Sequence, residues 1–127
     1  MNQDIKQRWI DALRSGQYKQ GIGFLRNAQD QFCCLGVLCD LYVKENAKPG
    51  SDDDWEEGSE YNAYDYCLYG VLGALPEAVM QWAGVDSMNP LARYPNLPNH
   101  RFTTLAALND SQQVTFDDIA AVIEEQL

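Results

Sequence analysis

Residues 32–45, FCCLGVLCDLYVKE, are apolar around almost the whole circumference of a helix. A helix of that kind offers no face to water and has to be wrapped by other elements. Gly36 lies within it, and a residue without a side chain lets a neighbouring backbone come close. Asp40 is the anomaly. A carboxylate in the most apolar segment of the chain needs a partner if it is buried, and Arg14 and Arg26 are natural candidates.

The remaining segments supply the wrapping. Ile5, Trp9, Ala12 and Leu13 recur at helical spacing over residues 3–15, with Gly16 as a C-terminal cap. Residues 17–26 contain two glycines and read as a loop entering a strand, followed by a turn over 27–31. Residues 61–69 read as a strand ended by Gly70 and Gly73. Pro76 starts a short helix over 77–83 that Gly84 stops. Residues 86–100, with three prolines, read as an irregular crossing, and 103–108 as a helical turn. Thr115, with Asp118 three residues on, caps a last helix over 116–127, whose buried stripe is Phe116, Ile119, Ala120, Ile123 and Leu127. In 127 residues this predicts one domain, 1–127, of the α+β class, mostly helical with a minor antiparallel sheet. No apolar run approaches the ~20 residues that span a bilayer, and the N-terminus has no signal-peptide core. The expectation is a soluble, cytoplasmic protein with no membrane partner.

Charge divides the chain unevenly. Residues 1–26 hold five bases (Lys6, Arg8, Arg14, Lys19, Arg26) and two acids, a balance of +3. Residues 27–127 hold four bases and seventeen acids, a balance of −13. A net charge of −10 argues against direct binding to a nucleic-acid backbone, which wants a basic face. It suits a basic partner or a mimic of nucleic acid. The basic island could attract a small anion, or its bases could pair with the chain's own acids. Within an acidic-aromatic loop at about 47–66, Asp52, Asp53, Asp54, Glu56, Glu57, Glu60 and Asp65 surround Trp55, Tyr61 and Tyr64 and lead on to Tyr66 and Tyr69. This stretch reads either as a solvated surface loop or as a protein-docking surface.

Two constellations carry candidate chemistry. Arg14, Ser15, Tyr18, Lys19, Gln20, Gly21, Gly23 and Arg26 form a dense group in which glycines expose amides, arginines fork onto phosphate and Tyr18 offers a stacking face. The group is neither a dinucleotide fingerprint nor a P-loop, and it suggests a pocket for a small anionic or nucleotide ligand. The other reading of the same residues is a turn with solvated bases. The cysteines, Cys33, Cys34, Cys39 and Cys67, form no CxxC pair, so no metal is expected, and they read first as buried small hydrophobes. The sharper alternative is catalysis by Cys34 or Cys33 at a helix start, with His100 as base. No cofactor is implied. Asn109 and Asp110 read as turn chemistry ahead of the last helix.

Four segments, ALRSGQYKQGIGFLR (12–26), FCCLGVLCDLY (32–42), LPEAVMQWAG (75–84) and LAALNDSQQVTFDDIAAVIEEQL (105–127), resemble a family of small phage and prophage proteins. Residues 51–66 and 86–100 fall outside the shared pattern. The resemblance brings no catalytic residue with it. It implies a phage accessory protein in the host cytosol, of a kind that blunts host defence. Three readings follow in order: a non-catalytic protein that captures a nucleotide-like ligand; an acidic inhibitor of a host defence protein; and a cysteine-dependent enzyme. A structural role and a homo-oligomer are both compatible with the sequence.

Overall fold

The computed structural model describes residues 1–58, 65–94, 102–111 and 113–127. The apolar segment forms α2 (Cys34–Asn46), in which Cys34 to Asp40, Tyr42 and Val43 are all buried. Around it lie α1 (Gln3–Arg14), α3 (Glu77–Ala83) and α4 (Leu105–Asn109), while α5 (Phe116–Gln126) lies along α1. One cluster of buried side chains draws on every one of these helices, with Trp9, Leu35, Leu38, Leu105, Ile119 and Ile123 among its largest members. Each fully buried side chain of that size contributes about 1.5–3 kcal/mol.

Helix boundaries follow local chemistry. Asn2 caps α1 by accepting the Ile5 amide at 3.0 Å. Gly16 follows its end at φ 75°. Pro76 is the N-cap of α3, and Gly84 ends that helix in the left-handed region. Thr115 and Asp118 form a reciprocal capping box on α5, as the sequence predicts.

The α+β class holds, with very short strands. β3 (Glu56–Glu57) and β4 (Tyr66–Cys67) pair antiparallel, as do β5 (Leu91–Arg93) and β6 (Phe102–Thr104). β1 (Lys19–Gln20) and β2 (Gln31–Phe32) pair in parallel, which departs from a wholly antiparallel expectation. The expected strand over 61–69 is reduced to β4 within the described residues. The expected irregular crossing contains β5, which follows Pro90 and has three residues of pairing, too few to show a period of two.

α2 meets the chain most tightly at Gly36. A Cβ there would lie 1.7 Å from the Leu25 carbonyl oxygen and 2.6 Å from its carbon. Leu25 is itself fully buried, and its amide donates to the Leu72 carbonyl at 2.7 Å, so neither side can move away freely. At the N-terminus of α2 sits Asn109, only 1% exposed. Its Oδ1 accepts the Cys34 amide and the Gln20 side chain, each at 3.1 Å, and its Nδ2 donates to the Gly21 carbonyl at 2.8 Å. Asn109 is thus a buried junction of three segments rather than turn chemistry alone. The Trp9 indole closes the same end by donating to the Cys34 carbonyl at 2.9 Å.

Gly36→Ala forces apart two backbones that are already in contact. We expect a loss of at least ~3 kcal/mol in urea denaturation. A loss below ~1 kcal/mol would mean that α2 does not pack against Leu25 in this way.

Candidate functional site

Asp40 organises the site. It lies on the face of α2 turned toward β1 and β2, and its side chain is 12% exposed. The Tyr18 hydroxyl donates to Oδ2 at 2.5 Å, and the Trp55 indole donates to Oδ1 at 3.0 Å. The Lys44 ammonium, one helical turn on, stands 3.2 Å from Oδ2 and donates to the Tyr18 hydroxyl at 3.0 Å. Each carboxylate oxygen is therefore satisfied, as a buried carboxylate requires. The arginines expected as its partners are engaged elsewhere. Arg14 pairs with Glu124 at 3.1 Å, and Arg26 pairs with Asp30 at 2.6 Å. A tyrosine, a tryptophan and a lysine do the work instead, because an i,i+4 lysine and two aromatic donors reach Asp40 directly.

These groups shape the titration of their neighbours. Burial, then the hydrogen bond to Asp40, raises the Tyr18 pKa above its ordinary value. The hydrogen bond to Tyr18, followed by attraction to Asp40, raises that of Lys44.

Above this network opens a cleft of about 460 Å³ lined by Gln17, Tyr18, Arg26, Asp30, Phe32, Asp40 and Lys44. That size falls within the ~300–1,000 Å³ usual for small-molecule sites. Two cations, two carboxylates and two aromatic rings face it. Tyr18 meets Phe32 edge to face at 5.1 Å, and Phe32 meets Trp55 in the same way at 6.3 Å. Lys44, 66% exposed, is its most accessible charge.

The predicted ligand-binding group does not converge as a whole. Tyr18 and Arg26 line the cleft. Arg14 and Gln20 line a smaller hollow on the other side of Tyr18, with Gly16, Thr115 and Asp117. Gln20 also braces the fold, donating to Asn109 and to the Val114 carbonyl. Ser15 bonds back to the Ala12 carbonyl. Gly21 is buried where a Cβ would lie 2.6 Å from that of Gln31, and the Gly23 amide donates to Asp110. Lys19 is exposed on β1. The glycines therefore serve close packing and turn geometry here. Lys44 and Asp30 lie outside the group that the sequence predicts. The 40/44 spacing on a helix was the signal available for the lysine.

Much of the basic island pairs internally. Arg8 approaches Asp4 and Glu45, each at 3.3 Å, alongside the Arg14 and Arg26 pairs. The acidic-aromatic stretch is two-sided. Asp52, Glu56 and Glu57 are exposed, while Trp55 turns in to Asp40 and Tyr66 lies under the Arg26 guanidinium at 3.9 Å. Tyr69 donates to Asp53 and shares a hydrogen bond with Tyr42 at 2.7 Å. Glu60, Tyr61 and Tyr64 lie outside the described residues.

The cysteine reading meets a physical obstacle. Cys33 does stand at the start of α2, where its Sγ accepts the Gly36 amide at 3.4 Å. Burial overrides the helix terminus and pushes its pKa up to about 11. Burial also pushes up the thiols of Cys34 and Cys39. Such thiols are poor nucleophiles at neutral pH. The proposed base, His100, lies outside the described residues. Among the described residues, no three His, Cys, Asp or Glu side chains group as a metal site, and no helix is long and apolar enough to cross a membrane.

The fold and cleft define a small α+β domain with a polar, aromatic-lined cleft. The chain belongs to the family described as Domain of unknown function (DUF8296), whose model matches residues 1–127. No curated protein and no solved structure matches it.

All four thiols are buried. The native protein should therefore alkylate at least ~100-fold more slowly at pH 7.5 than the urea-unfolded chain. A single thiol that reacts at the unfolded rate would restore the enzyme reading.

Proposed function

We propose that this chain is a non-catalytic binding protein that holds a small anionic, nucleotide-like ligand in the cleft beside Tyr18, Arg26 and Lys44. The observation that carries the reading is the cleft itself, where an exposed lysine and a guanidinium meet a half-buried tyrosine. Lysine and arginine supply point-charge and forked recognition of phosphate, and the aromatic rim suits a planar ring. The poor nucleophilicity expected of the buried thiols supports binding without catalysis. A role as a phage accessory protein that sequesters a ligand used in host defence rests on the sequence resemblance alone, and it is proposed on that footing.

Lys44 is the residue on which to test this. Arg26 is enclosed by three rings, so its removal would loosen the fold as well as the site. A thermal-shift series with linear and cyclic mononucleotides should find one that stabilises the wild type. At 100 times the dissociation constant the gain is ~2.7 kcal/mol, which reads as several degrees. Lys44→Gln, which removes the charge without setting a second carboxylate beside Asp40, should lose most of that shift when each protein is compared with its own ligand-free melting temperature. Equal shifts in both proteins would place the ligand elsewhere.

The exposed acids of the 51–58 segment favour a second reading, an inhibitor that docks on a basic host protein. Asp53 and Asp54 are tied to Tyr69 and to the Trp55 amide, so Asp52 and Glu56 are the acids free to meet a partner. Salt-sensitive association that weakens in Asp52→Asn/Glu56→Gln would support this reading, and unchanged affinity would count against it.

A further inference from the structure

Arg26 presents very little of itself to the cleft. Its guanidinium carbon lies 3.9 Å from the ring centre of Tyr66, 5.5 Å from that of Phe32 and 5.8 Å from that of Trp55. With its faces against rings, what remains for an anion is the edge of the fork. Asp30 holds the Nε–Nη2 side of that edge, with a single oxygen, Oδ1, 2.8 Å from Nε and 2.6 Å from Nη2.

Asp30 is placed there at some cost. Its φ is 57°, in the left-handed region that most side chains disfavour and that Asp and Asn tolerate better than most. The Asn27 turn imposes this conformation. The Asn27 side chain accepts the amides of Gln29 and Gln31, and its carbonyl accepts that of Asp30. The Asp30 side chain remains 63% exposed.

We propose that Asp30 is a built-in placeholder, whose carboxylate occupies the guanidinium edge that a ligand phosphate takes and swings out when the ligand binds. This rests on the cleft reading given above. The carboxylate half of the pair is exposed, so water can take over its oxygens as it leaves, and a phosphate brings more charge and more acceptor oxygens than the carboxylate it replaces. The displaced carboxylate stays at the rim, where it repels a dianion more than a monoanion.

The test is calorimetric titration at pH 7.5 of the wild type, Asp30→Asn and Asp30→Gly. The probes are adenosine 5′-monophosphate, a dianion at that pH, and its 3′,5′-cyclic monoanion. Asparagine and glycine both accept the left-handed backbone, so both variants should fold. Both are expected to bind the 5′-monophosphate about fivefold more tightly than the wild type, with a smaller gain for the cyclic form. A wild type that binds while both variants bind no better would overturn the placeholder and leave the cleft reading standing. No binding of either nucleotide by any of the three proteins would overturn the cleft reading, and the placeholder with it.

Discussion

The contact between α2 and Leu25 sets the terms for the rest of the molecule. A helix apolar on every side is stable only inside a shell, and its shell here includes the backbone of the neighbouring loop. The Leu25 carbonyl occupies the space a side chain at residue 36 would need. That approach fixes the position of the 17–31 segment. With it come Tyr18, Arg26 and Asp30, which form one wall of the cleft, while Asp40 and Lys44 on α2 form the other. Packing and site are consequences of the same close approach.

Polar groups that enter such a shell have to bring partners with them. At the N-terminus of α2, the Cys34 amide is met by Asn109, which also ties down Gln20 and Gly21. Midway along the helix, Asp40 draws in Tyr18 and Trp55. The two junctions use different chemistry. Asn109 is neutral and fully enclosed, so it acts as a rigid connector. Asp40 carries charge at the edge of the core, and its satisfaction requires a lysine that still faces water. A cleft with an exposed cation beside an aromatic hydroxyl is the outcome of stabilising that carboxylate.

The sequence was most informative where one segment determines its own structure. The helices, their caps at Gly84 and Thr115, the close approach at Gly36 and the turn over 27–31 were all legible, because each depends on residues a few positions apart. Long-range partnership was not. Nothing local indicates that Gln20 reaches Asn109, or that Trp55 returns to Asp40 rather than facing a partner protein. The basic group in 14–26 looked like one pocket because its members adjoin in sequence. In the fold Tyr18 stands between Arg14 and Arg26, so the two arginines face different hollows. Strands of two or three residues carry too little pattern to be seen, and β1 and β2 exist because Gly21 lets their backbones approach.

The segment after Gly50 bears on both functional readings at once. Among its described residues, Trp55 turns inward and completes the Asp40 network, and Tyr66 supports Arg26. Its acids Asp52, Glu56 and Glu57 face out. The first reading uses the inner side and the second uses the outer side, so a ligand in the cleft and a basic partner on the surface would act on one segment from opposite faces. The Tyr66 amide donates to the Arg26 carbonyl at 3.0 Å, and Tyr66 pairs in β4 with Glu57. The strand pair β3–β4 therefore links the floor of the cleft to the acidic face. The features behind the two readings thus lie on the inner and outer sides of one short segment, joined by backbone pairing.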